Sequence, residues 1–302
     1  MPVLFLDCLT GMVELWQRVL RPEDPSIRVN IADGQPDGLP SLLDGFDICI
    51  NDHTFFDADL LARCRDLRHI VFLGTGASSF IDLAAAASRG IKVHTIRGYG
   101  DTSVAEHTIA LAMAAARNVA RMDRDVRAGR WRQIEGLQLY GKILGIIGLG
   151  GVGREVARIA LGLGMQVLAW NRSPSPAAPG VQLAALEQVL AAADILCVTL
   201  ALNDETRGFL NHARLAMTKP GVILVNTARA AIVDADALAA LLGSGHIRHA
   251  AMDVFEQEPP ALDDPLLAME NVTLTAHAAF MTQEATMRML RTAIDLAIAA
   301  GA

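Results

Sequence analysis

The run Gly148-Leu149-Gly150-Gly151-Val152-Gly153 constrains this chain most, because of what stands on either side of it. Before it, Lys142 to Ile147 (KILGII) is a short, almost wholly apolar run, as a buried parallel strand requires. After it, Arg154 to Gly162 sets Val156, Ile159 and Ala160 on one side and charges on the other, a helix pattern. A second strand pattern follows over Gln166 to Trp170. In a strand–turn–helix–strand unit the first glycine permits the tight turn and the second lets the backbone approach phosphates. The third lets the helix pack on the strand. The helix N-terminus adds free N–H groups and a partial positive charge. The segment predicts a dinucleotide cofactor, with Gly148, Gly150, Gly151, Val152 and Gly153 around its pyrophosphate.

The end of the second strand bears on which dinucleotide that is. An NAD site usually places Asp or Glu about 20 residues on, against the ribose 2′-hydroxyl. This chain has Asn171-Arg172-Ser173 there. No carboxylate in that segment repels a 2′-phosphate, while the guanidinium and the Ser173 hydroxyl can both donate to one. This favours NADP(H), with NAD(H) still possible. The opposing reading makes Arg172 a solvated turn residue between Trp170 and the prolines at 174 and 176.

Composition narrows the class. With 302 residues the chain can hold two domains with ample cores, and 52% hydrophobic content suits a well-buried globular protein. No apolar run approaches the roughly 20 residues of a membrane span. Met1 to Thr10 lacks the basic start and apolar core of a signal peptide, so a cytoplasmic protein is expected. A net charge of −7 and a pI near 5.6 argue against a nucleic-acid partner. They also mean that local groups must catch any anionic substrate. Cys8, Cys49, Cys64 and Cys197 form no metal-ligand spacing, and the eight histidines include no HExxH-like pair, so no metal is expected.

Two series of alternating strand and helix patterns emerge. The first has strand patterns at Val3–Asp7, Ile27–Ile31, Ile48–Asn51, Ile70–Leu73 and Lys92–Thr95. The second starts at Lys142 and continues with Ile195–Leu200, Val222–Asn226, His249–Met252 and Val272–Thr275. Such alternation predicts an α/β protein of two doubly wound parallel sheets. Between the series, Ser103 to Arg130 reads as one long helix carrying arginines 117, 121, 124, 127 and 130 on one face, interleaved with Asp123 and Asp125. That face is solvated or contacts another subunit. A final helix over Thr282 to Ala300 could pack on either half.

Three late strands end in ionisable groups: Arg229 after Val225-Asn226-Thr227-Ala228, Glu258 after Asp253-Val254-Phe255-Glu256-Gln257, and His277 after Thr275-Ala276. Ligands of open parallel sheets bind outside the carboxyl ends of strands, where these three would converge. Each alone reads as a surface charge or a satisfied histidine; together, after a dinucleotide turn, they read as chemistry.

At this point the chain resembles the D-isomer-specific 2-hydroxyacid dehydrogenase family. The resemblance rests on Gly74-Thr75-Gly76, Val104-Ala105-Glu106-His107, the glycine turn, Lys219-Pro220-Gly221, Asn226 through Arg229, Asp253 through Pro259, and Thr275-Ala276-His277. It implies a Rossmann-type cofactor domain (99–279) inserted in a flavodoxin-like substrate domain (1–98), with the C-terminal helix (280–302) returning to the latter. It assigns Arg229 to the substrate carboxylate and reacting carbonyl, His277 to proton donation and Glu258 to its partner. Thr75 and Gly76 would hold the substrate carboxylate through backbone N–H groups. Asp253 would contact the nicotinamide carboxamide, and Thr227 would join the cofactor site. It also implies a homodimer through the helix that begins at Ser103.

The chemistry fits these residue types. Negative charge that builds on a carbonyl oxygen under reduction is stabilised by a cation, and an imidazolium can protonate the product. A carboxylate beside the imidazole favours its charged form and fixes the ring. The expected activity is NADP(H)-preferring reduction of small 2-oxo acids to D-2-hydroxy acids. The alternatives are NAD-linked D-lactate or phosphoglycerate dehydrogenase and a cofactor-sensing, corepressor-like binding protein. The chain departs from the family pattern at Ala276, where proline is frequent, and at Ala230, where glycine is usual. Ala279-Phe280-Met281-Thr282 resembles the D-lactate branch, whereas Asn171-Arg172-Ser173 leans toward NADPH-linked reductases.

Overall fold

A computed structural model describes residues 1–173 and 176–301. The chain forms two compact units, one of Met1–Gly100 with the segment from Met281 on, the other of Asp101–Phe280.

In the first unit, strands β1 (Val3–Cys8), β2 (Ile27–Ile31), β3 (Ile48–Asn51), β4 (His69–Phe72) and β5 (Lys92–Thr95) alternate with helices α1 (Val13–Val19), α2 (Leu39–Leu43), α3 (Ala58–Arg63) and α4 (Leu83–Ser88). Every pairing is parallel, in the order β2-β1-β3-β4-β5. β1 and β3 lie inside the sheet with both faces covered, so VLFLDC and ICIN are buried throughout and carry no alternation. Asp57 and Asp82 start α3 and α4 by accepting from the Leu60 and Ala85 amides, three residues on.

The second unit begins with α5 (Asp101–Ala116) and α6 (Val119–Arg127). Its strands are β6 (Ile143–Ile147), β7 (Gln166–Trp170), β8 (Val181–Leu183), β9 (Ile195–Val198), β10 (Val222–Asn226), β11 (Ile247–Met252) and β12 (Val272–Leu274). Between them run α7 (Gly151–Gly162), α8 (Leu186–Ala192), α9 (His212–Ala216), α10 (Ala235–Gly243) and α11 (Pro265–Ala268). All strands are parallel, in the order β12-β11-β10-β9-β6-β7-β8. The winding direction reverses at β6, so a crevice opens at its carboxyl end, where the glycine turn stands. Apolar cores cover both faces: Leu196, Val198 and Leu224 point to one, Ile195, Cys197 and Val225 to the other. The two sheets are the doubly wound α/β architecture that the alternation predicts.

The expected single helix over Ser103 to Arg130 is two helices. Asn118 takes a left-handed backbone (φ 52), which asparagine tolerates better than most residues, and its side-chain amide donates to the Glu135 carbonyl at 3.2 Å. Beyond the break, Arg121, Arg127 and Arg130 of that face are paired with acids. Arg130 and Arg132 both reach Asp125, at 2.7 and 3.0 Å, and Arg121 pairs with Glu270. Arg132 and then Arg130 hold the Asp125 carboxyl down to about 2.

The last helix, α12 (Gln283–Gly301), packs in the first unit. Met289, Leu290, Ala293, Ile294 and Ala297 join Phe5, Ile48, Ile50 and Val71 in one core. All four cysteines are buried free thiols, and burial pushes Cys197 up to about 12, which leaves it inert as a nucleophile.

Candidate active site

The glycine turn joins β6 to α7, and its three motif glycines do different things. Gly148 takes φ +106, and a Cβ there would lie 3.0 Å from the Leu200 nitrogen and the Thr199 carbonyl carbon. A Cβ on Gly153 would overlap the Gly148 carbonyl oxygen, so α7 could not lie so close to the strand end. On Gly150 a Cβ would meet nothing within 4 Å, and no side chain caps α7. That open face with free helix amides fits a pyrophosphate. The opposite face is filled, since a Cβ on Gly151 would overlap the Asp101 carboxylate.

Neighbouring strand ends fix the turn. The Thr199 hydroxyl donates to the Gly148 carbonyl at 2.6 Å. The Gly148 amide donates to the Trp170 carbonyl at 2.8 Å, and the Leu149 amide to Asn171 Oδ1 at 3.1 Å. Asn171 also donates to the Ser173 carbonyl, so its side chain shapes the site from the protein side. Arg172 and Ser173 are exposed at the carboxyl end of β7. Arg172 meets a carboxylate after all: Glu205, in the loop after β9, pairs with its guanidinium at 2.5 Å. Thr227, after β10, is buried with its hydroxyl 2.7 Å from that of Thr108.

A second cluster is built on β10, β11 and β12. His277 and Glu258 meet, with imidazole Nδ1 2.7 Å from carboxylate Oε2, both side chains about one-third exposed. Nδ1 faces the carboxylate, so Nε2 is the nitrogen left to face a ligand. His277 takes a left-handed backbone (φ 50), a conformation that disfavours a residue with a Cβ.

Asp253 holds it there. This carboxylate is wholly buried after β11, and its Oδ1 accepts from the Thr275 hydroxyl at 2.5 Å and the Ala278 amide at 3.0 Å. Oδ2 accepts from the Ala279 amide at 3.0 Å, and the His277 amide donates to the Asp253 carbonyl at 2.7 Å. Burial works against ionisation of Asp253, but hydrogen bonds from His107 and Thr275 and then the two amides outweigh it and hold its carboxyl below the usual range. Expected from the resemblance to meet a carboxamide, Asp253 thus already serves the chain's own donors.

Arg229 follows β10 in extended backbone and is exposed, with its guanidinium folded back on the Ala228 carbonyl at 2.6 Å. The loop is closed by Asn226, whose side chain bridges the Ala228 amide and the Arg229 carbonyl at 3.0 Å each. In the first unit, Thr75 and Gly76 follow β4, at the carboxyl edge of that sheet. Among the described residues no group of three or more His, Cys, Asp or Glu could hold a metal, and no helix is long and apolar enough to cross a membrane.

Residues 109–279 match the family model for the NAD-binding domain of the D-isomer specific 2-hydroxyacid dehydrogenases. The chain belongs to that family. It is 39% identical to a glyoxylate reductase of Aeropyrum pernix over 255 residues, which cover 80% of this chain and 76% of that one. It is also 39% identical to a D-3-phosphoglycerate dehydrogenase of Archaeoglobus fulgidus, covering 80% of this chain and 47% of the relative. The chain thus spans about half the length of the phosphoglycerate dehydrogenases it matches. Among solved structures, the TT0316 protein of Thermus thermophilus superposes with a TM-score of 0.84 at 32% identity, over 100% of this chain and 97% of that one.

As a D-2-hydroxyacid dehydrogenase family member the chain carries a nicotinamide-dinucleotide domain. Two members of its cofactor environment escape a motif reading, Thr199 and Glu205, and a third residue, His107, is visible there without its role. His107 stands in one of the family motifs, yet its ring bonds Thr275, 168 residues away, at 3.0 Å. Nothing local to Glu205 announces Arg172.

Proposed function

We propose that this protein reduces small 2-oxo acids to D-2-hydroxy acids with a preference for NADP(H). The observation that carries the reading is the His277–Glu258 pair, held at 2.7 Å on a loop that Asp253 pins beside a dinucleotide-binding sheet. When bound, the reduced nicotinamide supplies a hydride. Glu258 holds Nδ1 of His277, and Nε2 hands its proton to the substrate oxygen. Arg229 swings from its own Ala228 carbonyl to the substrate, where its cation faces the carboxylate and the oxygen that gains charge. Thr75 and Gly76 bind the carboxylate through backbone N–H groups, and Asn171, Arg172 and Ser173 form the adenosine end of the cofactor site. A cytoplasmic homodimer belongs to the same reading, and the exposed apolar side chains of Val119, Val126 and Trp131 near α6 support the contact.

Initial rates of NADPH and NADH oxidation against glyoxylate, hydroxypyruvate, pyruvate and phenylpyruvate test it. Fast NADPH-linked turnover of at least one acid is expected. Tight cofactor binding with no turnover of any acid would favour a cofactor-sensing binding protein.

A further inference from the structure

We propose that Glu205 sets how strongly the protein discriminates between NADPH and NADH, by holding Arg172 across the glycine turn until a 2′-phosphate takes it. The proposal rests on the reading of Arg172 as a 2′-phosphate ligand.

The sheet order supplies the geometry. β6, which carries the turn, lies between β7 and β9. Arg172 stands two residues beyond β7, and Glu205 stands in the loop after β9. Their 2.5 Å ion pair therefore joins the loops on the two sides of the turn, at the crevice where the winding direction reverses.

Both residues project from fixed backbone. Asn203 Oδ1 accepts from the Glu205 and Thr206 amides at 3.0 Å each, and the Thr206 hydroxyl donates to the Ala201 carbonyl at 2.8 Å. Thr206 itself is buried. On the other side, Asn171 ties the Arg172 segment to the turn through the Leu149 amide. The pair is thus an arrangement of two anchored loops.

The chemistry follows from what β7 lacks. NAD sites keep a carboxylate at the end of the equivalent strand, facing the ribose hydroxyls. Here that position is Asn171-Arg172, and a carboxylate arrives from the neighbouring loop instead. Toward NADH, Glu205 neutralises Arg172 and can accept from a ribose hydroxyl. Toward NADPH, the guanidinium must leave Glu205 for the phosphate, and Glu205 then faces a second negative group. Glu205 therefore narrows a preference that Arg172 creates. Both side chains are exposed, so the effect is modest and falls as salt rises.

The test is the dissociation constant of each dinucleotide, read from nucleotide fluorescence, for wild type, Glu205→Gln and Arg172→Ala. Glu205→Gln should tighten NADPH by about fivefold and leave NADH within about twofold, the scale of an exposed ion pair. Arg172→Ala should weaken NADPH by about tenfold or more with little change for NADH. NADH binding by both variants reports an intact cofactor sheet. If Arg172→Ala behaves so while Glu205→Gln leaves the NADPH-to-NADH ratio unchanged, the role of Glu205 is overturned and the reading of Arg172 stands. Equal weakening of both dinucleotides by Glu205→Gln also overturns it. Equal losses in Arg172→Ala overturn the reading of Arg172 and this proposal together.

Discussion

At the carboxyl end of β1, Asp7 accepts from the amides of Asp52, His53 and Thr54 and from the Thr54 hydroxyl, all at 2.8 Å. Just past β11, Asp253 accepts from the Thr275 hydroxyl and the amides of Ala278 and Ala279. In both sheets a buried carboxylate pins the loop that follows a neighbouring strand, and each loop presents a histidine beside an acid. The difference lies in how that histidine is held. His53 leans on Asp52, its own neighbour in sequence, at 3.0 Å, and is largely exposed. His277 has its backbone fixed in the left-handed region from β11 and its ring fixed by Glu258 from a separate loop. A buried acid fixes a loop; groups converging from two loops fix a ring, and only His277 is held in both ways.

Removing the two acids should separate these cases. Asp253→Ala leaves a hydroxyl and two amides without their acceptor, and should cost about 3 kcal/mol of stability. It should also lower turnover by about two orders of magnitude, because the proton donor is no longer held. Urea unfolding and kcat measure the two parts; full turnover in a destabilised variant would deny the positioning role. Asp7→Ala should cost a similar amount, about 3 kcal/mol, while leaving cofactor affinity within about twofold. A large loss of cofactor affinity would break the parallel.

Acid sharpens the contrast. Burial, and then Arg124, hold the His249 imidazole in β11 down to about 4 from 6.5. The unfolded chain takes up that proton near pH 6.5 and the folded chain does not, so its stability is full above 6.5 and falls on acidification toward 4. The expected loss is about 3 kcal/mol, and His249→Gln should abolish it. Within the first unit the Asp52–His53 pair behaves oppositely, whereas burial lowers His69 and His94, in β4 and β5, as it lowers His249. Burial raises the Asp52 carboxyl, and its hydrogen bond to Asp52 raises His53, so both favour the folded state at lower pH. Hydrogen exchange at pH 7 and 4.5 should show β10 and β11 loosening relative to β1 and β3; uniform loosening would contradict this.

The smallest effects come from the hydroxyls. Thr54→Val and Thr275→Val each remove one bond to a buried carboxylate, about 1.5 kcal/mol apiece, and Thr275→Val also removes the contact with His107. Only Thr275→Val should lower kcat, by several-fold; equal kcat in the two variants would show that loop stiffness does not reach His277.

Much of this was legible in the sequence, for local reasons. Apolar runs reveal the buried strands β3 and β10, and strand patterns with exposed positions reveal β2, β5 and β7; all five fall where the pattern places them. β8 escapes because two of its three residues, Gln182 and Leu183, are exposed and look like loop. The break at Asn118 escapes because the helical periodicity continues through it. The residues His277 and Glu258 and their pairing were visible, but what holds the His277 loop was not. The partners of Asp253 on the His277 loop lie up to 26 residues away, its partner His107 stands on α5, and the Arg172–Glu205 pair spans 33. Such contacts are fixed by strand order, and no local pattern encodes them.

The most direct test of the account compares wild type with His277→Ala for NADPH-linked reduction of the best 2-oxo acid, with NADPH affinity measured on the same samples. The account predicts turnover lower by at least about two orders of magnitude at unchanged NADPH affinity. Turnover near the wild-type level would remove His277 from the chemistry and contradict it.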